Sequence, residues 1–136
     1  MLERAGVNGF YGTSRALQSV DLTVGNGEFL SVLGRNGVGK TTLLRTILGL
    51  MSRCTGSIRL DGGEINVLPT HKRAKAGVGY VPQGRGILPN FTVRENLTLG
   101  TFAAERPASS IPDHIFELFP ILKEFLGRRG GNLSGG

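Results

Sequence analysis

Cysteine and histidine, the residues that form disulfides and many metal sites, are rare in this chain. Cys54 is the single cysteine among 136 residues, so no disulfide can form within the chain, which agrees with a reducing compartment. We interpret it as a packed thiol. The two histidines, His71 and His114, stand without cysteine or carboxylate at the spacing of metal ligands. Both are expected to be ordinary surface or packing residues.

Long apolar runs are missing as well. No stretch approaches the roughly 18–20 apolar residues that cross a bilayer, and the first six residues have no apolar core of an export signal. We therefore expect neither export nor direct insertion into a membrane. The hydrophobic content of 39% and the charged content of 19% fit a globular protein long enough for one hydrophobic core.

The positive charge of the chain lacks the aromatic partners of a nucleic-acid interface. A net charge of +6 raises that possibility, but the positive residues are scattered, with small clusters at residues 71–75 and 128–129. Neither cluster is interleaved with aromatic side chains, as a base-stacking surface would be. We interpret these clusters as solvated helix faces and expect no nucleic-acid partner.

Glycine is abundant, and three glycines fall within one string, residues 34–42. The string has the form GxxxxGK followed by threonine, which is that of a phosphate-binding loop. Gly34, Gly37 and Gly39 let the backbone turn tightly around an anion, so that successive N–H groups surround a phosphate. Lys40 is suited to reach the β- and γ-phosphates, and the Thr41 hydroxyl to bind Mg²⁺. The residues expected to bind nucleotide here are Gly34, Asn36, Gly37, Val38, Gly39, Lys40, Thr41 and Thr42.

The flanks of this loop predict the strand–loop–helix context that the motif requires. Residues 29–33 form a short, mostly apolar run, as expected for a strand buried on both faces. A helix is predicted to begin near Gly39, with Gly49 helping to end it. A glycine-rich turn that matches by chance is the alternative, and the flanks argue against it. The apolar residues predicted on one side of the helix are Leu43, Leu44, Ile47 and Leu48.

The remaining elements are read from turn and capping signals. Residues 2–33 are predicted to be short strands joined by turns, with a turn at residues 25–27. Thr92 and Glu95 form a capping-box pattern that opens a helix. Pro120 is expected either to break a helix or to open the next one. The other predictions are a strand around residues 58–60, a turn at 61–63, a helix at 69–76, a buried strand at 78–81, a loop at 107–110 and helices around 115–119 and 122–126.

The order of motifs along the chain resembles the ATPase subunits of ATP-binding cassette (ABC) transporters. The resemblance covers essentially all 136 residues and implies that Tyr11 stacks on adenine. It also implies that Gln83 contacts Mg²⁺ and water in a supporting catalytic role. Taken alone, Tyr11 would be a core or turn tyrosine, and Gln83 would mean little. The resemblance further implies a signature that binds the ATP of a partner subunit, made of Ser134, Gly135 and Gly136 after Leu133.

This resemblance implies an α/β fold. We expect a P-loop NTPase core with an N-terminal antiparallel β part and a small helical subdomain, without the C-terminal strands of the full domain. Residues 1–91 would form the β and P-loop portion, and residues 92–136 the helical subdomain. The chain stops one residue before the glutamine that would complete the signature. We therefore expect a truncated product or fragment without a complete catalytic set, because the general base of the family follows the signature.

A finer resemblance lies in residues 78–97, which are similar to the ATPases of branched-chain amino acid and urea/amide uptake systems. Leu88 and Phe91 exchange the usual phenylalanine and leucine, which conserves approximate volume. The resemblance implies ATP and Mg²⁺ as ligands, membrane-spanning permease subunits and a second ATPase subunit as partners, and a peripheral place on the cytoplasmic face of the cell membrane. This piece itself is expected to bind ATP without hydrolysing it.

Two alternatives stay open at this point. The first is a soluble ATPase of the same cassette type that acts on nucleic acid or ribosomes, and the second is an inactive truncated fragment. A guanine-specific switch protein is disfavoured, because no NKxD base-reading element occurs in the chain.

Overall fold

The computed structural model describes residues 1–84, 86–103 and 110–133. The chain divides into two compact units, Met1–Val78 and Gly79–Gly136. The expected division of the family's subdomains between residues 91 and 92 stays a prediction.

The first unit contains a four-stranded antiparallel sheet. Its strands are β1 (Leu2–Tyr11), β2 (Ser14–Val24), β3 (Arg53–Leu60) and β4 (Gly63–Glu64), in the order β2-β1-β3-β4. Asp61 and Gly62 both have positive φ between β3 and β4, which is the backbone of a two-residue hairpin turn. The predicted antiparallel β part and the predicted turn at residues 61–63 are therefore confirmed.

One helix packs on this sheet, and a second helix packs on the first. Helix α1 (Lys40–Leu48) follows the glycine-rich loop and ends at Gly49, which is left-handed with φ 75°, and α2 is Thr70–Lys75. Leu43 and Ile47 of α1 pack with Leu17 of β2 in one apolar cluster. A second cluster contains Val7, Ile58 and Ile65. Leu44 was expected on the same side of α1 but is exposed.

Two predicted strands are absent. Residues 29–33 and 78–81 carry no strand hydrogen bonding, and Phe29 and Leu33 are each 89% exposed. Val81 is 83% exposed. A strand buried on both faces exists only where neighbouring strands satisfy its backbone groups. The part of the chain that the structure describes pairs no strand with either segment. Most of their apolar side chains are therefore open to solvent, whereas Val78 packs against both apolar clusters.

The second unit is helical. It contains α3 (Val93–Thr101), α4 (Asp113–Leu118), α5 (Ile121–Phe125) and a 3₁₀ turn at Gly130–Asn132. The capping box is confirmed, because the Thr92 side chain accepts from the Glu95 N–H and the Glu95 carboxylate accepts from the Thr92 N–H. Pro120 is the N-cap of α5 and thus opens that helix. Residues 107–109 of the predicted loop lie outside the described residues.

Arg73 corrects the interpretation of the basic cluster at residues 71–75 as a wholly solvated helix face. Its neighbours His71, Lys72 and Lys75 are exposed, as expected, but Arg73 is only 3% exposed. Its guanidinium donates to the carbonyl oxygens of Thr46, Ile47, Asn66 and Leu68 at 2.7–3.0 Å. Two of these carbonyls belong to the last turn of α1, where carbonyl groups run out of helical N–H partners; the Thr46 carbonyl also accepts from the Gly49 N–H at 3.1 Å. Arg73 is therefore a buried cap for α1.

Arg4 of β1 is a buried guanidinium in the opposite situation. It is also 3% exposed, and its three side-chain nitrogens have no hydrogen-bond partner within the described residues. Burial lowers its pKa, with smaller opposing effects of Cys54 and Asp21. Burial likewise raises the pKa of the Cys54 thiol. An unpaired buried cation opposes folding, whereas the paired one at Arg73 supports it.

Replacement of these two arginines by methionine tests this contrast. Arg4→Met removes a charge without partners and is expected to raise the free energy of unfolding by about 1–3 kcal/mol. Arg73→Met removes four charged hydrogen bonds and leaves buried carbonyls unpaired, so it is expected to lower that free energy by at least about 2 kcal/mol. Urea unfolding followed by circular dichroism measures both. Equal destabilisation by the two variants would contradict this assignment.

A second prediction concerns pH and the capping box of α3. Hydrogen bonds from the Thr92 backbone and side chain lower the pKa of the exposed Glu95 carboxyl. A lowered folded-state pKa means that the stabilisation is present above the unfolded pKa and is lost as pH falls through the folded value. Wild type and Glu95→Gln are therefore expected to differ in thermal midpoint at pH 7 and to converge as pH falls below the folded-state pKa of Glu95. A difference that is independent of pH would argue against the ionised cap.

Candidate nucleotide-binding site

The loop of residues 34–42 has the backbone that its glycines predict. Gly34, Gly37 and Gly39 have φ values of 153°, 85° and 102°, a range that side chains with a Cβ rarely adopt. At Gly37 no atom lies within 4 Å of where a Cβ would stand. Glycine is therefore needed at this position for its positive φ and not to make room for a neighbouring atom. The loop therefore reverses direction sharply and feeds directly into α1.

Helix α1 presents an uncapped N-terminus to this loop. Gly39 is the N-cap, no side chain accepts from the first amides, and the first turn contains no acidic residue. The first helical hydrogen bond runs from Leu43 N–H to the Gly39 carbonyl at 2.8 Å. The N–H groups that precede it and the positive end of the helix dipole thus remain available to an anion.

Lys40 bends back over the loop. Its Nζ donates to the carbonyl oxygens of Gly34 at 2.7 Å and Arg35 at 2.8 Å. An ammonium group has three donors, so one remains for a ligand. The lysine therefore braces the loop and holds a positive charge beside it.

A small cavity lies beside the loop within the first unit. It has a volume of about 160 Å³ and lies between Leu17 and Val20 of β2 and the residues around Val38 and Lys40. Most of its lining side chains are apolar, and Lys40 also lines it. The Lys40 ammonium and the exposed Thr41 side chain are the polar side-chain groups here that can meet phosphate and a cation.

Tyr11 stands at the end of β1 and is 44% exposed. The hairpin that holds it is tied to the segment after α1, because Ser52 Oγ accepts from the Gly12 N–H at 2.8 Å and donates to the Phe10 carbonyl at 2.7 Å. Its ring lies 6.0 Å from the Arg45 guanidinium carbon. An exposed, fixed aromatic face in the same unit as the loop suits a base-stacking platform.

Gln83 lies in the second unit, exposed in a turn with Gly84, and its roles at Mg²⁺ and water stay predictions. The segment that follows it is held by Asn96 of α3. The Asn96 amide donates to the carbonyls of Leu88, Phe91 and Thr92 at 2.9–3.3 Å and accepts from the Leu88 N–H at 2.8 Å.

The same segment pairs with the residues that lead to the chain end. Gly130 N–H donates to the Phe91 carbonyl at 2.8 Å, and Gly131 N–H donates to the Pro89 carbonyl at 3.0 Å. Ser134, Gly135 and Gly136 of the expected signature lie outside the described residues, as does Arg85. Their roles therefore stay predictions.

Sequence reasoning did not indicate the structural contacts of Arg45, Arg73 or Asn96. Each belongs to a residue type that is normally exposed, and no local pattern distinguishes a structural arginine from a solvated one. The only available signal was their position in elements that already carried other motifs.

A model of the ABC transporter family matches residues 17–136. The chain belongs to this family. It is 39% identical over 137 residues to the high-affinity branched-chain amino acid transport ATP-binding protein BraG of Pseudomonas aeruginosa. It is 37% identical over 139 residues to a protein of Archaeoglobus fulgidus named "Probable branched-chain amino acid transport ATP-binding protein LivF". The spermidine/putrescine import ATP-binding protein PotA of Oleidesulfovibrio alaskensis is 35% identical over 138 residues.

These relatives are longer than the ABC chain described here. All 136 residues are covered in each case, but they span 59% of BraG, 58% of LivF and 36% of PotA. The likeness therefore concerns one part of each relative.

Solved structures show the same family fold. The dimeric structure of MJ0796, a bacterial ABC transporter cassette, has a TM-score of 0.77 at 28% identity over 99% of this chain and 64% of that chain. MJ0796 bound to ADP and Pi in a post-hydrolysis state has a TM-score of 0.76 at 27% identity, over 98% and 63% of the two chains. The predicted ABC-type α/β fold, present as a partial domain, is thus confirmed.

The described residues contain neither a candidate membrane span nor a cluster of histidine, cysteine and carboxylate ligands. None of their helices combines the length and the apolar character needed to cross a bilayer. Nor do three or more histidine, cysteine, aspartate or glutamate side chains gather there at a spacing that would hold a metal ion.

Lys40→Ala is the direct test of the loop. The variant loses a charged contact and is expected to bind Mg-ATP about 10- to 150-fold more weakly, which corresponds to about 1.5–3 kcal/mol. Arg35→Ala is the matched control, because it removes one positive charge from the same loop while keeping the carbonyl that Lys40 contacts. Isothermal titration calorimetry measures both. An equal loss in the two variants would mean that only net charge matters, and would remove the special role of Lys40.

Proposed function

We propose that this chain is the nucleotide-binding part of an ATP-hydrolysing subunit of an ABC importer for branched-chain amino acids. The observation that carries the proposal is the loop of residues 34–42. It combines three glycines of positive φ, an uncapped helix N-terminus and a lysine ammonium held over the loop carbonyls. Each of these groups is a donor or a positive charge, so the arrangement is complementary to a polyphosphate.

The residues present also fit Mg²⁺. Thr41 is the first residue after Lys40 in α1, its side chain is exposed, and its hydroxyl has no hydrogen bond to another described residue. A hydroxyl together with phosphate oxygens and water is a ligand set that this hard cation accepts. When bound, Mg²⁺ would supply charge neutralisation for the phosphates. Thr41 would hold the ion, Lys40 would orient the phosphates, and Tyr11 would hold the base.

The cargo is proposed from the identity between the whole chain and relatives that are named for a transported compound. BraG and LivF are named for branched-chain amino acid transport and are 39% and 37% identical, while PotA, named for spermidine and putrescine import, is 35% identical. Residues 78–97 point to the same choice, with urea or amides as the alternative. A cargo-binding site would lie on other subunits of the importer.

The proposed partners are membrane-spanning permease subunits and a second ATPase subunit. Two copies would enclose two ATP molecules, each loop facing the signature of the other copy. MJ0796, at 28% identity, was solved as a dimer, which supports this arrangement. The importer would place the chain on the cytoplasmic face of the membrane. For the 136 residues themselves we propose nucleotide binding without appreciable hydrolysis, because the family's general base follows the signature.

Thr41→Val tests the proposed metal ligand separately from the phosphate site. Valine keeps the shape of the side chain and removes the hydroxyl, so ATP affinity in Mg²⁺ is expected to fall at least about tenfold. Affinity in EDTA is expected to stay unchanged, and this serves as the internal control. Calorimetric titration in both buffers gives the comparison, and phosphate release by the same samples measures hydrolysis.

Three results would contradict the proposal. Wild-type chain that binds neither ATP nor Mg-ATP would support an inactive fragment. Rapid phosphate release would overturn the proposal of binding without hydrolysis. Capture of RNA or DNA, with no association with permease subunits, would favour the soluble cassette ATPase.

A further inference from the structure

Two adjacent aromatic residues at the end of β1 each have an arginine beside the ring. The Arg53 guanidinium carbon lies 4.2 Å from the Phe10 ring centroid, and that of Arg45 lies 6.0 Å from the Tyr11 ring centroid. Consecutive residues of a strand point to opposite faces, so the two arginines serve different sides of the sheet. Only the Arg45 pair involves the proposed base platform.

We propose that Arg45 is a positioning residue for the purine. Its guanidinium holds one face of the Tyr11 ring, so that the opposite face is presented to adenine. This inference rests on the proposed nucleotide-binding function, in which Tyr11 receives the base and residues 34–42 receive the phosphates.

The position of Arg45 on α1 agrees with a role at the base end of a nucleotide. It follows Lys40 by five residues, which corresponds to about 7.5 Å along the helix axis. The N-terminus of α1 serves the phosphates, and Arg45 lies in the last turn. One rigid helix thereby carries a phosphate contact at one end and a contact to the aromatic platform at the other.

The backbones of both partners are fixed. The Arg45 carbonyl accepts from the Leu50 N–H at 2.9 Å as α1 ends. Tyr11 is held through Ser52, which bonds to the residues on either side of it. Only the two side chains are left to adjust, and each restricts the other when they meet.

The attraction is a cation–π contact at the outer limit of its range. Both side chains are exposed in the described structure, so water weakens the contact before a ligand arrives. A ring already restrained loses less rotational freedom when it stacks.

The test compares two ligands that differ at the base end. Mg-ATP and Mg-tripolyphosphate are titrated into wild type, Arg45→Ala and Arg53→Ala. Arg45→Ala is expected to weaken ATP binding about two- to fivefold and to leave tripolyphosphate binding unchanged. Arg53→Ala is the matched control, because it removes an arginine from an aromatic ring at the same end of the sheet, and should change neither. In a Tyr11→Ala background, Arg45→Ala should have no further effect.

Arg45→Gln keeps a polar, flexible side chain without the charge and should give the same loss, with an unfolding midpoint equal to wild type. Equal weakening of both ligands, or additive effects of the Tyr11 and Arg45 variants, would overturn the inference. Unchanged ATP affinity in Arg45→Ala would also overturn it while leaving the proposed function intact. Wild type that binds neither ligand would overturn the proposed function, and this inference with it.

Discussion

Helix α1 can direct its N-terminus at a ligand only if its other end is fixed inside the protein. The buried Arg73 guanidinium does this by donating to the Thr46 and Ile47 carbonyls while it also binds the Asn66 and Leu68 carbonyls. A Cβ at Gly49 would lie 2.9 Å from this guanidinium, so the glycine that ends α1 also makes room for its cap. The helix C-terminus is thereby both neutralised and anchored.

The candidate site joins two parts of the first unit with different physical characters. The phosphate end consists of backbone amides and one ammonium, whose arrangement follows from glycine conformations. The base end consists of Tyr11 on a strand, held through Ser52 to the segment after α1. Because α1 packs on the sheet through Leu43 and Ile47, the two ends share one apolar support.

Local signals predicted local structure well. The loop, the start of α1, the Gly49 cap and the Thr92–Glu95 capping box each depend on a few neighbouring residues whose backbone preferences are strong. Residues 29–33 and 78–81 were wrongly predicted as strands, because strand formation depends on partners that a short apolar run does not specify. The sequence showed correctly that these two segments are apolar, but it did not show whether other strands would pair with them.

Buried polar side chains were the other limit of sequence reasoning. Arg73 and Asn96 each satisfy several backbone groups from different segments, and such sets of bonds are visible only when distant residues meet. Arg4 has the same residue type and the same burial as Arg73 but no partner within the described residues. Residue identity alone therefore did not distinguish a stabilising arginine from a destabilising one.

The brace formed by Lys40 has a consequence for the thermodynamics of association. A free lysine side chain samples many rotamers, and immobilising it costs about 1.5–2 kcal/mol. Here the two carbonyl contacts immobilise it while the loop folds, before any phosphate arrives. An incoming polyphosphate therefore meets a cation that is already ordered. Its binding free energy does not include the cost of restricting a freely rotating lysine side chain.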